Sequence, residues 1–212
     1  PVSLQYTVDT AREAGMTILT PPQNLISGKN YQGQADQIMA WVEQNAGRAD
    51  VMVLSTDTLI YGGLVDSRKH NIPLTTLESR LKRIESLKAR NKNVRIYGFG
   101  TVMRSPRASG GGTEPAYYAE YGPTIFQIAA LQDKLDSGSL TQEETQKLMS
   151  LQASVPVEYL QDWFDRRQKN MKINKELIDE TRSGVFDYFA LGHDDTSQLS
   201  QSALEGRYLS KY

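Results

Sequence analysis

The sequence predicts an α/β fold with a parallel sheet, and three observations carry that reading. Short apolar runs alternate with stretches of helical periodicity along the chain. The run Val51–Leu54 has no polar interruption, which suits a strand covered on both faces. Polar and glycine-rich segments directly follow several of these runs, where a parallel sheet places its ligand-facing loops.

Taken in order, Val2–Leu4 reads as a strand and Tyr6–Ala14 as a helix stopped by Gly15, a natural C-cap residue. Met16–Leu19 reads as a second strand, closed by Pro21–Pro22. Residues 35–46 read as a helix with Ile38, Met39 and Val42 on one face, and Val51–Leu54 is the third strand. Thr75–Arg90 has the strongest helical pattern. Leu77, Leu81, Ile84 and Leu87 form its stripe, Thr75 and Glu78 have capping-box spacing, and basic residues crowd its last turn. Val94–Phe99 is the fourth strand, and Val185–Leu191, directly after Gly184, is the fifth.

Strand–helix–strand repetition implies right-handed crossovers and a parallel sheet. Residues 105–183 interrupt it with the flexible Ser105–Thr113 and then helical stretches near 116–135, 141–153 and 156–182. The last would be about 40 Å long at the usual rise per residue. The expected organisation is therefore an α/β core of residues 1–104 and 184–212, with a helical insertion at 105–183 after the fourth strand. That insertion is either an enlarged crossover or a lid or interaction arm. A (β/α) TIM-like barrel, or most of one, is the expected architecture, with an open doubly wound sheet as the alternative. Five strands do not close a standard barrel.

Composition narrows the function. The 212 residues carry 24 basic and 25 acidic side chains, so no nucleic-acid or membrane surface is indicated. No apolar run approaches the roughly 20 residues of a membrane helix. The absence of cysteine removes disulfides, thiolate-bound metals and thiol nucleophiles, and two histidines exclude a three-histidine metal site. The chain opens at Pro1 within an expected strand and ends at Tyr212 within an amphipathic run, which suggests a piece of a longer protein. The missing cysteine and initiator methionine lean towards export of a soluble protein.

Candidate site residues follow the third, fourth and fifth expected strands. After the third, Asp57 stands where a strand-end carboxylate faces a cleft. Tyr61, Gly62 and Gly63 then allow a sharp turn or close ligand approach, and Arg68 is placed to orient a carboxylate or pair with Asp57 or Asp66. A glycine turn held by a salt bridge is the structural alternative. After the fourth strand, Arg104 offers a fixed fork of donors for a carboxylate, phosphate or sugar hydroxyl. The Gly110–Gly112 run fits neither a P-loop nor a dinucleotide turn, so no nucleotide site and no cofactor are expected.

The fifth strand leads into Gly192-His193-Asp194-Asp195-Thr196-Ser197. Adjacent carboxylates after an apolar strand are costly to desolvate together unless a donor network, a metal or a shared proton compensates. On extended backbone the two point to opposite sides, so one can orient while the other serves as general acid. Asp194 and Asp195 are thus the expected catalytic pair, with Thr196 and Ser197 as substrate contacts; capping of the next helix is the alternative. His193, Asp194 and Asp57 form an alternative oxygen-rich metal set.

The segments Leu19-Thr20-Pro21-Pro22, Ser55 to Arg68, Tyr97 to Arg104 and Leu191 to Ser197, with Pro1-Val2, resemble a bacterial protein family catalogued only as a domain of unknown function. Members of that family are longer, with further strand-like segments downstream and an Asp before the Pro-Val. The strand–Asp-Asp arrangement is also similar to the substrate-assisted β-N-acetylhexosaminidases. That likeness implies that Asp194 orients an acetamido group while Asp195 protonates the leaving oxygen. The expected function is a hydrolase acting on a polar small molecule or glycan, with glycoside cleavage leading. A metal-dependent hydrolase using His193 and the aspartates, or a non-catalytic ligand-binding protein, are the alternatives.

Overall fold

Three parallel strands, β1 (Val51–Ser55), β2 (Arg95–Val102) and β3 (Tyr188–His193), form one sheet in the order β1-β2-β3. Val51 lies opposite Arg95, and Tyr97 opposite Tyr188. The computed structural model describes residues 2–28, 30–108, 111–194 and 197–212. Strand order that advances in one direction through right-handed crossovers puts the connecting helices on one face of the sheet. Burial follows that rule. Met52, Leu54, Ile96 and Val102 are buried on the helix side, while Val53, Phe99 and Tyr188 on the other face are 67%, 45% and 64% exposed.

The helix side holds the larger apolar core. The helices α2 (Ala35–Asn45), α3 (Thr56–Tyr61) and α4 (Leu74–Arg90) contribute Ile38, Met39, Ile60, Leu77, Leu81 and Ile84, all buried. The α4 stripe is the one its periodicity predicts. Gly98 is required here, because a Cβ would stand 2.6 Å from the Phe186 ring that covers the strand.

Three helices follow β2: α5 (Tyr118–Asp136), α6 (Gln142–Ser154) and α7 (Val157–Arg182), each close to its expected bounds. Their second apolar cluster joins Tyr118, Ile125, Ile128, Leu148 and Trp163 to Met103 at the end of β2. The first half of α7 belongs to that cluster, and the second half places Ile173 and Leu177 in the larger core. The chain ends in α8 (Gln201–Lys211), where Ser200 Oγ accepts from the Ala203 N–H as N-cap.

Two expected strands are not strands. Val2–Leu4 lies within the helix α1 (Val2–Glu13), and Met16–Leu19 pairs with no strand. A helix satisfies its backbone groups internally, whereas an isolated apolar run needs a neighbouring strand to bond. Gly15 ends α1 as its position predicts, with φ +82°. Three strands do not close a barrel, and the described residues form an open sheet covered by helices on one face, not doubly wound. The capping box also differs. Pro73 stands at the N-cap of α4 and Glu78 pairs with Lys172, whereas Thr141 and Glu144 make a reciprocal box at the start of α6. Among the described residues no helix is long and apolar enough to cross a membrane.

Candidate functional site

Polar side chains gather beyond the carboxyl ends of the three strands, and α7 holds the loops that carry them. The helix lays a polar row along its buried face, in line with Trp163, Ile173 and Leu177. Arg166 Nε donates to the His70 carbonyl at 2.7 Å, and Asn170 Nδ2 to the Ser67 carbonyl at 2.8 Å. Arg167 Nη1 donates to the Arg104 carbonyl at 2.9 Å and Nη2 to the Met103 carbonyl at 2.6 Å. Asn174 Nδ2 reaches the Thr101 carbonyl at 3.4 Å. Loop carbonyls that would otherwise be buried unpaired thus find donors on one helix.

Asp57 sits in the first turn of α3, directly after β1, and is 6% exposed. Thr101, at the end of β2, donates its hydroxyl to Asp57 Oδ2 at 2.8 Å and adds its backbone N–H. Burial nevertheless dominates and pushes the carboxyl up to about 6. The Thr101 bonds pull it down, the Asp194 charge raises it, and Arg68 lowers it. Asp57 therefore gives up its proton near pH 6, well above the ordinary carboxylate range.

Arg68 is 5% exposed and pairs through Nη2 with Asp194, just beyond β3. Its Nη1 lies 3.9 Å from Glu114 Oε1. Burial holds its pKa below the usual guanidinium range, with Asp194 acting against that and Arg104 reinforcing it. Arg104 Nε donates to the same Glu114 oxygen at 2.8 Å, and Nη2 to Thr113 Oγ1 at 2.7 Å. The Arg104 and Asp194 side chains keep 24% and 29% of their surface, so the cluster opens to water beside them.

Of the residues expected from sequence, Asp57, Arg68, Arg104 and Asp194 come together. Tyr61 is buried and stacks on His70 with ring centroids 5.0 Å apart, and both wall a separate cavity of about 340 Å³. Gly62 serves as the C-cap of α3 at φ +106°, and a Cβ on Gly63 would stand 2.1 Å from Ser27 Oγ. The glycine pair thus allows a sharp turn and close packing against Ser27 and Gly33. The His193 ring lies against Gly206, with its Nδ1 3.5 Å from Ser202 Oγ. Among the described residues no group of three or more metal-ligating side chains converges, so the alternative set His193, Asp194 and Asp57 is not assembled. Asp195 and Thr196 lie outside the described residues, and Ser197 is half-buried near the start of α8.

Sequence reasoning includes Thr101 only as part of the segment after the fourth strand, without a role, and misses Glu114, Arg167 and Glu205. Arg167 is 1% exposed and bonds both oxygens of Glu205 on α8 at 2.7 Å. One signal was present. Arg167, Asn170 and Asn174 occupy positions of the α7 stripe that apolar residues normally fill. Glu114 stands in an irregular segment after a glycine run and carries no periodic signal.

His70 shows how burial sets pH dependence. Its Nδ1 accepts from the Ile72 N–H at 3.3 Å, which leaves the Nε2 proton to face Asn170 Oδ1 at 2.8 Å. Burial lowers its pKa to about 4, so the folded protein holds the ring neutral. As pH falls from about 6.5 to about 4 the unfolded chain protonates first, which removes up to about 3 kcal/mol of stability. Asp57 acts oppositely, since its raised pKa adds stability as pH falls from about 6 towards 3.8. Asp57→Asn is expected to unmask the histidine. Denaturant unfolding of that variant should lose on the order of 3 kcal/mol between pH 6.5 and 4, while the wild type changes much less. Equal slopes in the two proteins would contradict this assignment.

Fold and cluster together describe an α/β protein with a buried, charged cluster at the carboxyl end of a parallel sheet. The chain belongs to the family described as protein of unknown function (DUF4127), whose model matches residues 1–212. No curated protein and no solved structure matches it.

Proposed function

We propose that the strand-end cluster is the active site of a hydrolase acting on a polar, glycoside-like substrate. The observation that supports this is a pair of carboxylates in contrasting surroundings. Asp57 is buried with a pKa raised to about 6, and Asp194 is ion-paired with Arg68 and open to water. Two acids whose environments separate their roles are what acid-assisted bond cleavage needs. Asp57 serves as the general acid, delivering its proton to the leaving oxygen. Asp194, oriented by Arg68, positions the substrate or its attacking group, and Arg104 binds substrate polar groups at the solvent side. Asp57 is thus assigned the proton-donor role that the sequence reading gives to Asp195, which lies outside the described residues.

The sheet is read as one arc of a (β/α) barrel. Helices cover one face only, and the exposed Val53, Phe99 and Tyr188 suit the interior of a closed barrel, where parallel strands are buried on both sides. Residues 105–183 are read as an insertion that carries Glu114 and Arg167 to the strand ends.

Turnover of a panel of aryl glycosides tests the reading. The wild-type chain is expected to release phenol from at least one member, and Asp194→Asn to reduce kcat/KM by a factor of roughly 100 or more. Unchanged turnover in that variant would reject the assignment.

A further inference from the structure

We propose that Glu114 fills an oxyanion subsite of this centre, and that a carboxylate or phosphate group of the substrate takes its place between Arg68 and Arg104. The proposal rests on the active-site reading above and names the substrate class, a molecule carrying an oxyanion beside its reacting bond. Three features of the cluster carry it.

First, one carboxylate oxygen serves two guanidinium groups from different segments. Glu114 Oε1 accepts from Arg104 Nε at 2.8 Å and lies 3.9 Å from Arg68 Nη1. Paired arginines around one oxyanion are the arrangement by which proteins hold carboxylates and phosphates. Second, the donor capacity is not used up. Arg68 Nε is buried and has no hydrogen-bond partner, although a buried guanidinium N–H is costly to leave unpaired. Arg68 thus keeps a donor that its present partners do not use. Third, the subsite has a way in. Arg104 keeps 24% of its side-chain surface while Glu114 keeps 4%, so the arginine stands at the mouth and the carboxylate behind it.

The segment bearing Glu114 has room to move at two glycines. Gly111 and Gly112 adopt φ +64° and +86°, and a Cβ at either would meet nothing within 4 Å. On its N-terminal side the backbone is held where the Gly112 carbonyl accepts from Lys69 Nζ at 2.9 Å, while the Cβ positions of both glycines face open space. With Glu114 displaced, Arg68 and Arg104 keep Asp194 as an ion-paired carboxylate, and while Asp57 holds its proton the subsite gains a net positive charge that an incoming oxyanion neutralises. A tethered carboxylate competes with free ligand at an effective concentration in the millimolar range. Removing its charge raises apparent affinity by about tenfold or more.

Equilibrium binding separates this proposal from the catalytic one, because it needs no turnover. Calorimetric titrations of the wild-type chain and Glu114→Gln use glucuronate, inorganic phosphate and, as the uncharged control, glucose, all at equal ionic strength. Glu114→Gln is expected to bind at least one of the two oxyanions about tenfold or more tightly than wild type, with no gain for glucose. The oxyanion that gains more identifies the group. Affinities equal to wild type, or an equal gain for glucose, would overturn the proposal.

Folding of the variant is not essential to the test. For the wild-type chain, thermal unfolding in phosphate or glucuronate should exceed that in chloride of equal ionic strength, and Arg104→Gln should erase the difference. Identical shifts in wild type and Arg104→Gln would overturn the proposal independently.

Discussion

Asp57→Asn is expected to lower turnover by a factor of about 100 to 10,000 while leaving the protein folded, the range that loss of a positioned general acid produces. The carboxyl is 6% exposed and bonded by Thr101, and the amide keeps the shape and an acceptor for the Thr101 hydroxyl. What it loses is the proton. A second signature separates loss of the acid from general damage to the site. With Asp57 titrating near 6, wild-type kcat/KM should fall as pH rises through that value, because only the protonated form donates. The residual activity of Asp57→Asn should lack that limb. A variant with reduced rate but the same alkaline limb would assign the acid elsewhere.

Arg167→Met is expected to destabilise the fold by about 3–5 kcal/mol, because it leaves the buried Glu205 carboxylate without its counter-charge. The guanidinium is 1% exposed, bonds both oxygens of Glu205, and also supplies the Met103 and Arg104 carbonyls. It lies over the Trp163 ring, 4.7 Å from its centroid, so the methionine retains part of the apolar contact and loses the charge. For a domain held by about 5–15 kcal/mol this is a large fraction of the total. The double variant Arg167→Met with Glu205→Met is expected to recover much of the loss, since an apolar pair removes the stranded charge. Urea unfolding midpoints check both. A loss below about 1 kcal/mol in the single variant would mean that Glu205 is solvated rather than dependent on Arg167.

The two residues are linked through the backbone. Arg167 fixes the carbonyl of Arg104, whose side chain meets Glu114, and Asn174 fixes that of Thr101, which holds Asp57. Stability and site geometry therefore share one helix. In a milder substitution at 167 that still folds, KM is expected to rise more than kcat falls, because Arg104 binds substrate while Asp57 does the proton chemistry.

Much of the architecture was legible because its signals are local. An unbroken apolar run at 51–54 became β1, the leucine stripe of 77–87 became the buried face of α4, and Gly15 ended a helix. The runs at Val2–Leu4 and Met16–Leu19 were misread because a strand is defined by its partner, which sequence pattern does not display. Thr75 and Glu78 had capping spacing, but Pro73 set the helix start and Lys172 claimed the glutamate.

The site divides the same way. Asp57, Arg68, Arg104 and Asp194 were found because they follow strands, and strand ends converge by geometry. Glu114 arrives from an irregular segment, and Arg167 and Glu205 from helices after the sheet has been left. Their meeting depends on tertiary packing and is not written in any local window. The roles of the acids were harder still. Burial, not residue type, raises the carboxyl at 57, and burial is known only once α7 and the ends of β1 and β2 are in place.

Direct titration of Asp57 by carboxyl-carbon NMR, assigned by comparison with Asp57→Asn, tests the central claim most closely. A midpoint near pH 6 that falls when Asp194 is replaced by asparagine is the predicted result, since the Asp194 charge helps keep the proton on Asp57. A midpoint near the ordinary 3.8, indifferent to Asp194, would mean the two carboxylates share no site and the acid-catalysis reading is wrong.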